Sequence, residues 1–415
     1  MSARRGFTLV ELMVAITGGL FVSLAVFALA RESGRFYNRE SRVSDATLAS
    51  MLGFERLKAD IGRAGFLGTP NIRQEPHLCG NPITDVGWAA ELARMASIRV
   101  DFVGSPGTPT LAAAPNNLHP DSLVLSGSYS GAEQFPIWNV QDDGTQMIVY
   151  LQQKTGPLGR MGYETSPDQV AILDNIFGVG RGLRIQDQSG EVQFGTITGT
   201  GTVGGPSINL SYAPRFHFRS EAGQVCGLKG NVTGAVVNVI NFVKYDVRNL
   251  ETNSNLGGAN AAYAPVYAAG SNVLFDTGER SELVRVELNT AGTPIAGTEE
   301  LVAEYAVDLK IGLTVVNTIL NDKDPTLTDI APGSAVEDWA GDVNVVPANQ
   351  GPHRVRAIRT RLSVRSQEPD RLGAPVTAGL YRMDLTPAGP VPHPWARVRT
   401  VQADIALPNQ TGVMY

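Results

Sequence analysis

The longest apolar stretch of the chain lies at its N-terminus. Residues 7–30 carry a single charged side chain, Glu11, and are otherwise apolar, small or hydroxyl-bearing. As a helix at ~1.5 Å per residue this stretch would extend about 36 Å, which exceeds a hydrocarbon core of roughly 30 Å. It therefore predicts one membrane-spanning helix. Arg4 and Arg5 precede it, and the positive-inside rule then places the N-terminus in the cytoplasm.

The next stretch, residues 31–64, keeps a helical spacing of apolar side chains but becomes amphipathic. No proline interrupts it, and charged residues alternate with the apolar ones. Such a pattern predicts that the helix continues beyond the membrane with one face covered and one face wet. Glycine and proline in "AGFLGTP" at 64–70 end it. The predicted apolar stripe consists of Phe36, Val43, Met51, Phe54, Leu57 and Ile61.

Beyond residue 65 the pattern is that of short strands. Runs such as "VVNVINFVKYDV" and "VDLKIGLTVV" are rich in β-branched residues and are separated by Gly, Pro, Asn and Asp. Alternation is plainest in "HRVRAIRTRLSVRS", which predicts solvated arginines on one face and Val355, Ala357 or Ile358, Leu362 and Val364 on the other. Residues 104–120, 251–271 and 318–352 are predicted long loops. The fold class is therefore α+β, a long N-terminal helix packed on a large antiparallel β-rich head.

Charge and cysteine content limit the partners and the metal chemistry. The net charge is −6, with no basic stripe for a phosphate backbone, so nucleic acid is not an expected partner. The two cysteines, Cys79 and Cys226, are too far apart in sequence for a metal-site motif. They form either one disulfide or two buried thiols.

Motifs for catalysis or cofactor binding are not found in the sequence. "GTGTVG" at 199–204 has dinucleotide-binding spacing, but a strand pattern follows it rather than a helix. There is no P-loop and no G-x-S-x-G elbow, and the five histidines are scattered. We therefore expect neither enzymatic activity nor a cofactor.

One acidic loop is a weak calcium candidate. "NDKDPTLTD" at 321–329 supplies Asp322, Asp324 and Asp329 as oxygen ligands. A proline interrupts the loop, the usual glycine is missing, and no glutamate completes the set. The favoured interpretation is a solvated loop, with no metal.

Glu11 distinguishes three interpretations of the N-terminus. One is a cleavable export signal ending at "ALA", residues 28–30, and its variant is a twin-arginine signal, which "ARRGFTL" loosely matches. Neither would gain anything from a carboxylate in its apolar segment. "RRGFTLVELMVAI" instead resembles the leader and first helix of type IV prepilins and pseudopilins. That resemblance implies cleavage between Gly6 and Phe7 by a prepilin peptidase and N-methylation of Phe7. It also implies that Glu11 pairs with the N-terminus of a neighbouring subunit during assembly.

Later stretches refine the resemblance. "MLGFERLKADIGRAGFLGT", "EELVAEYAVDLKIGLTV", "VRAIRTRLSVRS" and "RVRTVQADIALPN" together resemble PilW-type minor pilins. The implied organisation is a leader at 1–6, a transmembrane half-helix at 7–30, an amphipathic half-helix at 31–64 and a β-rich head at 65–415. The implied location is the inner membrane, crossed once, with a periplasmic head that becomes extracellular in the assembled pilus.

The function implied by the resemblance is to help prime assembly of a type IV pilus at or near its tip. The expected partners are other minor pilins, the major pilin, prepilin peptidase and, as a further candidate, a tip adhesin. Two alternatives stay open. One is a large J-type minor pseudopilin of a type II secretion system. The other is an exported β-rich periplasmic binding protein or hydrolase whose signal is cut after Ala30.

Overall fold

The α+β architecture is confirmed, with a long N-terminal helix packed on an antiparallel β-rich head. The computed structural model describes residues 8–102, 116, 118–224, 226–228, 232, 234–250, 280–317, 326–347, 350–367, 369, 371–372, 380–383 and 394–410. The predicted processing residues Gly6 and Phe7 lie outside this set, as do the calcium candidates Asp322 and Asp324. So do the predicted loop 251–271 and parts of the loops 104–120 and 318–352.

Helix α1 runs from Leu9 to Arg63 as one 55-residue element. Thr8 caps its start, and Gly65, at a φ of +76°, turns the chain away after Ala64. The Gly65 N–H then donates to the Ser126 carbonyl at 2.8 Å, which fastens the end of the helix to a strand of the head. Within the described residues four short α-helices follow: α2 (Ala90–Ala93), α3 (Gly156–Arg160), α4 (Gln169–Ile176) and α5 (Glu337–Ala340).

The described strands of the head pair only in antiparallel fashion. Their bounds are β1 (Ile98–Asp101), β2 (Ser122–Gly127), β3 (Phe135–Asp142), β4 (Gln146–Leu151), β5 (Gly182–Gln186), β6 (Val192–Gly201), β7 (Ser207–Ser211), β8 (Val236–Arg248), β9 (Glu282–Leu288), β10 (Glu300–Ala303), β11 (Ala306–Val316), β12 (Leu327–Ile330), β13 (Val355–Arg365), β14 (Arg371–Leu372), β15 (Leu380–Arg382) and β16 (Pro394–Ala406).

Strand β8 belongs to two parts of the first sheet. Its C-terminal half pairs with β2 and β9 in an open sheet ordered β1-β2-β8-β9-β10. Its N-terminal half pairs with β5 on one side and β3 on the other. Because β3, β4, β7, β6 and β5 are paired in turn, the ring closes into a six-stranded barrel. Side chains from α3 and α4 join the barrel core, including Leu158 and Leu173.

The second sheet and the open sheet enclose the C-terminal part of α1, from Ala46 to Arg63, which we call its lower half. The strands of the second sheet are ordered β12-β11-β13-β16, and β14 and β15 also pair with β16. Phe54, Leu57 and Ile61 of α1 are buried in one core with side chains from β1, β2, β8, β9, β11, β13 and β16. Burying large apolar side chains at about 25 cal/mol per Å² makes this the main attachment of helix to head.

The arginine-rich strand β13 resolves one open alternative of the sequence. Thr314 of β11 faces Ala357 and Val315 faces Val355, so Arg356 is the extra residue of a β-bulge. The bulge lets both Val355 and Ile358 face the core, and Ala357 is only half-buried. On the outer face Arg359 pairs with Asp404 at 2.7 Å, as expected of a solvated arginine. The prediction is wrong for Arg365, which is 1 % exposed because it lies over the rings of Tyr305 and Tyr381.

Candidate functional site

The first turn of α1 places Glu11 beside its own N-terminal backbone. Glu11 Oε2 accepts hydrogen bonds from the Thr8 N–H at 3.0 Å and from the Thr8 hydroxyl at 2.9 Å. In return the Thr8 hydroxyl accepts from the Glu11 N–H at 3.3 Å, which completes a capping box. Among the described residues, Oε1 of the same carboxylate has no partner. One oxygen of the carboxylate thus organises the start of the helix, and the other is open to a cation.

The segment that follows is apolar on all sides. Residues Leu9–Gly34 form a helix long and apolar enough to cross a membrane, and none of it is covered by the head. A helix that is apolar all round is stable only in lipid or among other helices.

The apolar surface continues past this span onto the amphipathic half. Leu48, Met51 and Leu52 lie at i, i+3 and i+4 on the face opposite the buried stripe, and Leu52 is 66 % exposed. Met51, predicted to lie within the covered stripe, is 53 % exposed, because the face that the head covers is centred farther round the helix than the predicted stripe. Phe36 is exposed as well, since Ala46 is the first buried residue among the described side chains of α1. The side chain of Val43 lies outside the described set.

A buried carboxylate fixes the lower half of α1 to the open sheet. Asp60 is 2 % exposed and accepts the Tyr245 hydroxyl at 2.8 Å and Arg285 Nε at 2.7 Å through the same oxygen. Arg56, one turn earlier, pairs with Glu300 at 3.2 Å, and Arg285 approaches Glu300 at 3.7 Å. Burial, with Asp60 as a second cause, raises the pKa of Tyr245 above its ordinary value, so the phenol stays a hydrogen-bond donor.

Gly53 sets how closely the helix approaches β10. A Cβ at this position would lie 2.7 Å from Ala303 Cβ and 2.8 Å from the Val302 carbonyl oxygen. Only glycine fits this crossing without displacing one of the two backbones. Gly53 and Asp60 are positioning residues that the sequence analysis missed. The position of Asp60 next to Ile61 of the predicted apolar stripe is a usable signal for its burial.

The two cysteines are joined in a disulfide with an S–S distance of 2.04 Å. The Cys79 N–H also donates to the Val192 carbonyl at 3.0 Å. The covalent link therefore attaches the segment before α2 to the barrel.

The remaining candidates for chemistry lie apart from one another. Asp329 is on β12, where it accepts the Thr314 hydroxyl at 2.7 Å and faces Arg359 at 3.8 Å. Within the described part of the chain, no group of three or more His, Cys, Asp or Glu could hold a metal ion. "GTGTVG" forms the end of β6 and the turn into β7, so no helix N-terminus faces it. His353 is buried beside Asn71.

Comparison with known proteins places the recognisable signal at the N-terminus. The model of the prokaryotic N-terminal methylation motif matches residues 1–17. No curated protein and no solved structure matches the chain. The motif supports a type IV pilin-like prepilin whose partners include other pilins and prepilin peptidase. Together with the apolar helix it fits a membrane-anchored pilin with a periplasmic head.

Proposed function

We propose that this chain is a PilW-like minor pilin that helps to prime assembly of a type IV pilus and sits at or near its tip. It is made as a prepilin that crosses the inner membrane once with a cytoplasmic N-terminus, and its head moves from the periplasm to the cell exterior in the pilus. The observation that carries the proposal is the division of α1. Residues 9–34 are apolar and wholly uncovered, whereas the end of the same helix is locked into a large head.

Glu11 has two separable roles in this proposal. Prepilin peptidase cuts between Gly6 and Phe7, and the freed, methylated amine of Phe7 is a cation in lipid. Such a cation requires a counter-ion, since an unpaired charge in hydrocarbon is costly. Oε2 of Glu11 holds the first turn of its own helix through Thr8, and Oε1 takes the ammonium of the neighbouring subunit. The carboxylate thereby sets the register between adjacent helices.

The difference in width between the helix and the head supports the proposed position at the pilus tip. A helix is about 10 to 12 Å across, and a head of a barrel and two sheets is far wider. Heads of this size would crowd each other in a repeating shaft, which supports a place at the tip. The exposed Leu48, Met51 and Leu52 then face the helices of the other minor pilins and the major pilin below. A tip adhesin is a further candidate partner, and the proposal gives the chain no catalytic role, cofactor or metal.

The mature N-terminus is the first test. Intact-mass and N-terminal peptide mass spectrometry of the protein purified from its native membrane should find N-methylated Phe7. A start at Arg31 would contradict the proposal and support the exported binding protein or hydrolase.

Variants of Glu11 separate its two roles. Glu11→Gln keeps a capping box, since glutamine also serves at this position, but removes the charge. Glu11→Ala removes both. We expect both variants to abolish surface pili when they replace the native chain, and Glu55→Ala, which changes an exposed carboxylate on the same helix, to leave piliation unchanged. Normal piliation with Glu11→Gln would refute the charge-pairing role. Loss of type II secretion with pili intact would instead assign the chain to the pseudopilins.

A further inference from the structure

The outer face of the barrel carries an aromatic platform. Trp138 is 50 % exposed, and its ring lies 5.4 Å from that of Tyr150 at an interplanar angle of 46°. A β-bulge produces this exposure: Ile137 pairs with Leu151 and Asn139 pairs with Tyr150, so Trp138 is the extra residue. Bulges of this kind redirect a side chain and are frequent next to binding sites.

The barrel face beside the platform ends at two glycines of β6, Gly199 and Gly201. Paired residues form rows across the strands of this face. One row runs from Gln141 of β3 through Ile148 of β4 and Asn209 of β7 to Gly199 of β6. The neighbouring row runs from Tyr150 of β4 through Ser207 of β7 to Gly201 of β6. The two glycines therefore leave the β6 side of the face low, while the indole and the phenol stand high on the β3 side. The result is an open face that steps down from β3 to β6 along the barrel wall, and we call this face the trough.

The polar groups of the trough are neutral. Gln141 is exposed and accepts the Tyr150 hydroxyl at 3.4 Å. The half-buried amide of Asn209 has no hydrogen-bond partner among the described residues. Neither row carries a charged side chain, and the turn at one end of the trough adds Asp143, whose pKa is lowered to about 2 by hydrogen bonds from Thr145 and Gln146. The one cation at this turn among the described ion pairs, Arg215, is already paired with Asp142 at 2.7 Å, so a phosphate backbone would meet carboxylates there and no unpaired cation.

From these features we infer that the trough defined by Trp138, Tyr150, Gln141, Asn209, Gly199 and Gly201 binds a neutral carbohydrate chain. The apolar faces of sugar rings match an aromatic platform, and their hydroxyls match amides that both donate and accept. The apolar part of the trough is limited to one half-exposed indole, part of a phenol and Ile148. That is small beside the roughly 800 Å² per partner of a stable protein interface, which favours a slender ligand over a folded protein. The inference goes beyond the proposed pilin function and does not depend on it.

The test titrates the full chain, in detergent, with three neutral probes: cellohexaose, maltohexaose and N-acetylchitohexaose. Calorimetry and tryptophan fluorescence should detect saturable one-to-one binding of at least one of them. Trp138→Ala, which removes the platform, should weaken it by roughly tenfold or more, as truncation of a central aromatic does at other interfaces.

Gly199→Val is the independent variant, because it fills the β6 side of the trough and leaves the platform intact. Among the described residues a Cβ at Gly199 would have one neighbour within 4 Å, Asn209 Nδ2 at 3.8 Å, so the strand has room for a Cβ there. The affinity for the probe should again fall by roughly tenfold. Leu327→Ala, an exposed apolar residue on β12, is the matched control and should change nothing.

Three outcomes would overturn the inference. They are no binding of any of the three probes, binding that neither Trp138→Ala nor Gly199→Val weakens, and Trp138-dependent binding of single-stranded oligothymidylate without sugar binding. The last would assign the face to nucleic acid. Near-UV circular dichroism of each variant establishes that its head is folded.

Discussion

Replacing Asp60 with alanine should weaken the attachment of the lower half of α1 to the head. The side chain is 2 % exposed, and the change leaves two buried groups without their partner. The Tyr245 hydroxyl, now donating at 2.8 Å, would lose its acceptor at a cost of about 1 to 3 kcal/mol. Arg285 would lose its 2.7 Å contact, which costs about 3 to 5 kcal/mol when a buried charge is left wholly unpaired.

The two costs do not add in full. Arg285 keeps Glu300 at 3.7 Å, and Glu300 is itself substantially exposed, so a weakened pair persists. We therefore expect the free energy of unfolding to fall by about 4 kcal/mol. At a urea slope of about 3 kcal/mol per M, the midpoint would fall by a little more than about 1 M. Tyr129 still donates to the backbone carbonyl of residue 60, so this contact is unchanged by the substitution.

The assay is urea unfolding of the full chain in detergent, followed by near-UV circular dichroism. Glu55→Ala is the matched control on the same helix, because Glu55 is exposed and its ion pair is with the neighbouring Lys58, at 3.4 Å. It should shift stability by at most about 0.5 kcal/mol. In the double variant Asp60→Ala with Arg285→Met, much of the loss should be recovered, since both members of the pair are removed. A loss below about 1 kcal/mol for Asp60→Ala would refute the reasoning.

Three further substitutions, two in α1 and one in the head, are tested by the same urea unfolding. Gly53→Ala should destabilise the protein by about 1 to 3 kcal/mol, because its Cβ would lie 2.7 Å from Ala303 Cβ. Gly62→Ala, whose Cβ would have nothing within 4 Å among the described residues, should stabilise it by up to about 1 kcal/mol. Equal effects of the two variants would contradict the close crossing of α1 and β10. Burial lowers the pKa of His353 to about 4, and the positive charges of Arg354 and Arg356 contribute to the same shift. The unfolded chain then binds the extra proton between pH about 6.5 and 4, so stability should fall by about 3 kcal/mol as pH falls through that window. His353→Gln should remove this part of the pH dependence, and an unchanged slope would show that His353 is not the group responsible.

The N-terminal helix could be predicted in detail because its signals are local. Length, hydropathy, Arg4, Arg5 and Glu11 are all readable along the chain, and α1 ends at Arg63, next to the predicted glycine. The prediction was weaker where the head covers the helix. Periodicity places Met51 within the stripe, but which face of the helix is covered depends on how the sheets pack against it.

The topology of the head could not be predicted from pattern. "QDDGTQ" is recognisable as a hairpin turn, and Gly144 there has a φ of +83° between β3 and β4. The pairing of β8 with both β3 and β5 depends on contacts between residues far apart in sequence, which local propensity does not encode. The exposure of Trp138 depends on a one-residue bulge, and a strict alternation gives no sign of it.

The continuity of β8 determines how a pulling force would travel through the head. Val237 contributes to the barrel core, and Tyr245, farther along the same strand, donates its hydroxyl to Asp60 of α1. Tension applied at the barrel wall therefore reaches the helix along one strand, without a flexible linker between them. That strand is held on both sides by antiparallel ladders, which must shear many hydrogen bonds together rather than unzip one at a time. If the helix is drawn inward while the barrel is held outside, the head resists as a single mechanical unit.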